Sequence, residues 1–147
     1  MSNSNQTQLL RESLRMLVRK LGVLDRGEAS CCGITLSQSY SIVEIGRAGT
    51  ISVNLLTEIL GVDKSTVSRS ADKLVNNGIL LRESDPDDRR SVTLRLSDKG
   101  KSVFEEIEKR STEYFEEVIA GIPGDKREQI IENLQYLAQA LKGSRCC

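Results

Sequence analysis

The stretch from Asp63 to Gly100 sets the tightest limits on what this chain can become, because it places an amphipathic helix directly before an arginine-tipped hairpin. Asp63-Lys-Ser-Thr66 opens that helix with an N-capping carboxylate, and Asn76-Asn77-Gly78 closes it with a residue free to turn left-handed. Val67, Ala71, Leu74 and Val75 recur at spacings of three and four, which predicts a core-facing side. Ser65, Thr66, Ser68, Arg69 and Lys73 fall on the opposite side, which is short-chained, polar and basic.

Beyond the helix, Ile79-Leu-Leu-Arg82 reads as one strand and Val92-Thr-Leu-Arg-Leu96 as an alternating second one. Pro86 followed by Asp87 and Asp88 is turn chemistry, so the two strands form a hairpin with Arg89 and Arg90 near its tip. Upstream, Ser52 caps a short helix over Val53 to Leu60, and Gly61 ends it. Helix, turn, helix and hairpin make a winged helix-turn-helix. A polar, basic helix face taken alone is an ordinary solvated surface. Two adjacent arginines on a turn directly after it favour a grip on duplex DNA. In that mode the second helix enters the major groove with its N-terminal half at the base edges. An arginine on the wing can occupy a narrow, A·T-rich minor groove.

The segment Asp63 to Gly78, the loop Asp85-Pro-Asp-Asp-Arg-Arg90 and the run Leu94-Arg-Leu-Ser-Asp-Lys-Gly100 together resemble the MarR (multiple antibiotic resistance regulator) transcription factors. The match follows the same helix order over nearly the whole chain. The resemblance implies a homodimer with one winged helix per subunit and a dimerisation domain made from the first and last helices. It also implies that Arg90 enters the minor groove with Asp88 holding its guanidinium, Arg89 being the alternative since the register of a turn is open. Repression of transcription is likewise implied by the resemblance.

The chain has 147 residues, the size of one ordinary domain, and its Lys plus Arg equal its Asp plus Glu at 21 each. Any hold on DNA must therefore be local. Residues 1–30 carry five bases and three acids, whereas residues 98–142 carry seven bases and ten acids, so the acidic excess lies in the helical tail. At the ends, Leu10, Leu14, Leu17, Leu21 and Leu24 form a narrow seam on a first helix. Val103, Phe104, Ile107, Tyr114, Phe115 and Val118 mark one side of a long helix from about Ser97 to Ala120, which Gly121-Ile-Pro-Gly124 breaks. Ile130, Ile131, Leu134, Leu137, Ala138 and Leu141 stripe a last helix ending at Gly143. Such stripes fit either a monomeric bundle or, as favoured here, a twofold dimer suited to a palindromic operator. No apolar run reaches the roughly 18 residues a membrane span needs, and the polar N-terminus is unlike a signal. The expected location is cytoplasmic, with no membrane partner.

Four cysteines stand as two adjacent pairs, Cys31-Cys32 in a predicted loop Gly27–Gly33 and Cys146-Cys147 at the end of the sequence. That loop is expected to lead into a helix anchored by Leu36, Tyr40 and Val43. Neither cysteine pair has C-x-x-C spacing. A disulfide within a pair is disfavoured, since consecutive Cα atoms lie about 3.8 Å apart and bridges usually need roughly 4.4 to 6.8 Å. Three readings stand: thiolates that gather a soft metal or metalloid as effector, thiols that answer an oxidant, or small apolar filler and tail. On the first, the resemblance brings the terminal pair of one subunit toward Cys31-Cys32 of the other. The sequence has no His, which removes Ser-His and Cys-His nucleophile pairs, and it has no phosphate-binding glycine loop. An enzyme is not expected, and no cofactor is required.

These readings converge on a mainly α chain with a small β hairpin (α+β class), a winged helix-turn-helix flanked by N- and C-terminal dimerisation helices. The expected division is 1–30 for the first dimerisation helix, 34–97 for the DNA-binding domain and 98–147 for the last helices. The expected function is a dimeric, sequence-specific regulator of transcription, released by a thiol-reactive effector or by a small organic ligand in the crevice between dimer helices and winged helix. The reading from another class is a helical dimer whose winged helix binds protein; salt-sensitive binding to duplex DNA separates the two.

Overall fold

The computed structural model describes residues 2–88 and 90–141, with the side chains of 23–32 outside the description. The elements in order are α1 (Asn3–Cys32), α2 (Leu36–Ala48), β1 (Thr50–Ser52), α3 (Val53–Leu60), α4 (Lys64–Asn76), β2 (Leu80–Ser84), β3 (Val92–Leu96) and α5 (Asp98–Ala120). A 3-10 turn (Gly124–Lys126) and α6 (Arg127–Leu141) complete them. The chain separates into two compact units, Met1–Glu108 and Lys109–Cys147. The fold is mainly helical with a winged helix and a small antiparallel sheet, as the sequence predicts.

Every buried apolar side chain among the described residues lies between Ile34 and Leu96. Ile42 and Ile45 of α2, Leu56 of α3, Val67, Ala71 and Leu74 of α4, and Leu80 and Leu94 of the sheet meet in one core. Burying each large side chain of this kind contributes about 1.5 to 3 kcal/mol. Val103, Phe104 and Ile107 on the first part of α5 pack against that core. Gly46 of α2 allows the approach, since a Cβ there would stand 2.5 Å from Phe104 Cδ2. The start of α5 is also tied to the end of α4. Ser97 Oγ donates to the carbonyls of Gly78 and Ile79, Lys99 Nζ donates to Asn77 O at 2.9 Å, and a Cβ on Gly100 would fall 2.1 Å from Ile79 O.

The sheet has the order β1-β3-β2, antiparallel throughout. The hairpin pairs Leu80 with Leu96 and Ser84 with Val92, and the third strand, β1, sets Ile51 opposite Leu94. Sequence periodicity does not predict β1. Three residues are too few to show alternation, and only the β3 edge makes them a strand.

Two expectations about local structure are corrected. Cys31 and Cys32 do not lie in a loop: α1 continues through them and ends at Gly33, whose φ of 67° makes a left-handed cap. Nothing from Glu28 to Cys32 breaks a helix, and Gly27 alone costs it only about 1 kcal/mol. Tyr40 does not anchor α2, being 55% exposed, whereas Ile42 and Ile45 are fully buried. Both stripes of α2 are apolar, and the helix turns inward the one that carries Ile42, Ile45 and the Gly46 contact with Phe104.

The terminal helices contrast with this core. On α1, Leu10, Leu17 and Leu21 are each more than 40% exposed, beside Leu9, Met16 and Val18. In the second unit, Phe115, Val118, Ile131, Leu134 and Leu141 form similarly exposed apolar stripes. No described helix is long and apolar enough to cross a membrane.

Candidate nucleic-acid interface

Asp63 organises the start of α4. Its carboxylate accepts from the Thr66 amide at 2.8 Å, from Thr66 Oγ1 at 2.7 Å and from the Ser65 hydroxyl. These bonds, the Ser65 hydroxyl foremost and then those from Thr66, hold the carboxyl well below the usual carboxylate range. The hydroxyls of Ser65 and Thr66 thus point inward to the cap, so a contact with a ligand must use their lone pairs or displace Asp63. Downstream on α4, Val67, Ala71 and Leu74 are buried, Val75 is half-buried, and Gly78 (φ 74°) turns the chain toward β2.

The residues proposed from sequence to meet DNA fall in two places around α4. Ser68 lines a crevice of roughly 160 Å³ between helix and wing, together with Lys64, Asp72, Arg82 and Arg90. Arg69 and Lys73 line a wider surface groove beside the start of α2, with Thr35, Ser37 and Gln38. Arg69, Lys73 and Arg90 are exposed, while Thr66 and Ser68 are half-buried. Arg69 Nε donates to Ser65 O at 3.3 Å.

The wing is shaped by its acids. Asp85 Oδ1 accepts from the Asp87 amide at 2.9 Å, and the Asp85 amide donates to Ser91 O at 2.9 Å, closing the turn. Asp88 Oδ1 accepts from the backbone amide of Arg90 at 2.9 Å, which fastens the turn at the wing arginine. Arg89, the alternative wing residue, lies outside the described residues. So do the side chains of Cys31 and Cys32 and all of Cys146 and Cys147, the candidate metal or redox thiols.

Several residues at this surface escaped the sequence reading. Lys64 follows the cap, Arg82 sits on β2, and Thr35, Ser37 and Gln38 open α2. A capping box, in which Thr35 Oγ1 accepts from the Gln38 amide at 3.2 Å and Gln38 Oε1 from the Thr35 amide at 3.0 Å, was legible as T-x-x-Q. Nothing local shows that α2 starts beside Arg69. Despite a net charge of zero, the crevice and the groove are lined by Lys64, Arg69, Lys73, Arg82 and Arg90 against Asp72 as the one acid among the described lining residues. Local excess of this kind is sufficient for an electropositive surface.

Known proteins resemble the chain along most of its length. YxaD of Bacillus subtilis, an uncharacterized HTH-type transcriptional regulator, is 26% identical over 140 residues, 95% of this chain and 98% of its own. The HTH-type transcriptional regulator BilQ of Clostridium symbiosum is 26% identical over 114 residues, 78% of this chain and 79% of its own. In structure, Streptococcus pneumoniae FabT, solved in complex with DNA, superposes with a TM-score of 0.82 at 22% identity, covering 92% of this chain and 97% of that one. The family model described as MarR matches residues 33–91, the winged helix itself. Residues 33–91 accordingly match the MarR family, and over most of its length the chain is similar to proteins named as transcriptional regulators.

Proposed function

We propose that the protein is a homodimeric repressor that binds a palindromic operator in double-stranded DNA. The observation that carries this reading is the crevice where Ser68 of α4 and Arg90 of the wing meet, beside Lys64 and Arg82. One surface so built offers short hydroxyls and arginine to a major groove and a second arginine to the flanking minor groove. FabT, which shares the fold, was solved bound to DNA. In this reading Ser65, Thr66, Ser68 and Arg69 meet base edges and nearby phosphates, Lys73 holds the backbone, and Arg90 or Arg89 enters the minor groove while Asp88 keeps the turn. The exposed stripes of α1 and of residues 109–141 supply the twofold interface.

Binding to duplexes selected from a randomised pool tests the reading. The expected affinity falls steeply with salt, with a logarithmic slope of about −0.9 for each phosphate contacted, and Arg69→Ala relaxes the selected sequence. Salt-insensitive binding, or selection of no duplex, overturns it in favour of a protein-binding winged helix. Release from the operator is proposed to follow an effector, either a soft metal, metalloid or oxidant acting on the cysteine pairs or a small organic ligand near the winged helix. A variant lacking all four cysteines that still releases DNA on arsenite or peroxide treatment excludes the thiol route.

A further inference from the structure

Asp72 stands where an acid is electrostatically unfavourable. It lies on α4 next to Lys73, and among the described residues it is the one acid lining the wing crevice and also the one acid lining the groove beside α2. A carboxylate on a surface that meets phosphates repels them, so its presence there requires a compensating task. The structure supplies one. Asp72 Oδ1 stands 2.7 Å from Arg82 Nη2, a spacing shorter than that of the other ion pairs described, of which Glu83–Arg95 at 2.8 Å comes next. Arg82 belongs to β2 and pairs in register with Leu94 of β3. One residue on, Glu83 of β2 takes the Nε–H of Arg95 of β3, which braces the two strands of the wing. A continuous chain of contacts thus runs from the recognition helix through Asp72–Arg82 into the hairpin that carries Arg90.

We infer that Asp72 is a positioning residue: by holding Arg82 it fixes the wing against α4, so that Arg90 and the α4 side chains meet DNA at one set spacing. The inference rests on the proposed use of helix and wing together on DNA. With the pair intact, the wing arrives already placed and its arginine reads groove width at a defined distance from the helix. Without it, the hairpin keeps its pairing with β1 and its buried Leu80 and Leu94 but loses its ion-pair tie to α4, and Arg90 samples several positions. The acid also neutralises Arg82, which then acts as a strut rather than as a free phosphate ligand.

The test uses the full chain and duplexes that the wild-type protein selects from a randomised pool, each made with A·T or with G·C pairs at the positions where Arg90→Ala changes the selection. Asp72→Asn is expected to shrink the A·T over G·C preference at those positions by about threefold, a size in keeping with the loss of one half-exposed ion pair. The preference at positions covered by α4 and the thermal midpoint should stay near wild type. The exchanged pair Asp72→Arg/Arg82→Asp should recover most of the flanking preference. Reading a ratio removes the uniform gain in affinity that any charge change on this face brings. An Asp72→Asn protein that binds all duplexes more tightly with its flanking preference unchanged overturns the proposal, as does a lost preference that the exchange fails to recover. If neither Arg90→Ala nor Arg89→Ala affects the flanks, or the wild type selects no duplex, the helix-and-wing reading fails and takes this inference with it.

Discussion

Between Ile34 and Leu96 the chain hides its apolar side chains, whereas along α1 and across residues 109–141 it displays them. The two regions are built from similar amphipathic helices, so the difference lies in what each finds to cover it. The α2–α4 stripes close over one another and over a sheet, and a core is complete inside one subunit. Leu10, Leu17 and Leu21 on α1, like Ile131 and Leu134 on α6, are each over 40% exposed. Apolar surface of this extent calls for a second body, which the proposed dimer supplies. In the proposed dimer, recognition falls to a core that holds itself together, and the spacing between two such cores falls to helices that need a partner.

Substitutions can break this contrast. The largest effect is expected for Leu74→Ala, at a fully buried core position, which should cost about 2 to 5 kcal/mol of folding stability. Urea unfolding monitored by circular dichroism measures it. At the exposed seam, Leu134→Asp should leave the winged helix folded while weakening association by about 2 kcal/mol or more, seen as monomer in sedimentation. If it destabilises the monomer as much as Leu74→Ala does, the terminal stripes are a covered core and the comparison collapses.

Smaller effects sharpen the recognition half. Arg90→Ala should weaken operator binding by about 1 to 3 kcal/mol without moving the unfolding midpoint, because an exposed turn side chain supports no core. Should Arg89→Ala do this instead, the minor-groove role moves one residue. Lys73→Ala should reduce affinity for all duplexes alike and lower the salt slope by about one unit. Unchanged salt dependence would remove Lys73 from the backbone contacts.

The smallest effect concerns Asp63, whose carboxyl is held below its ordinary range by Ser65 and Thr66. A depressed folded-state value means that the charged form favours the folded state. The stabilisation is complete above the unfolded-state value near 4 and is lost as pH falls through the lower folded value. Asp63→Asn should therefore be less stable than wild type at neutral pH, and the gap should close on acidification below about pH 4. A gap that is constant with pH would show that the cap acts through hydrogen bonding alone.

Local signals were legible where the chemistry is confined to a few neighbouring residues. The Ser52 and Asp63 caps, the left-handed Gly78, the buried Val67-Ala71-Leu74 stripe and the hairpin over Val92 to Leu96 all follow from side chains within one or two turns of each other. The reading failed at Tyr40 and at the loop predicted around Cys31 and Cys32, where local preferences were evenly balanced.

The sequence by itself determined a capped helix, a turn rich in acids and arginine, and apolar stripes at both ends, because periodicity and capping act over short separations. Tertiary structure alone decided that Thr50–Ser52 becomes a strand, that α2 turns Ile42 inward and Tyr40 outward, that α2 begins beside Arg69, and that Asp72 reaches Arg82. Each of these depends on a partner far along the chain. A strand edge, a packed face or an ion pair acquires its meaning only once folding has brought that partner within a few ångströms, and short-range propensity carries no record of it.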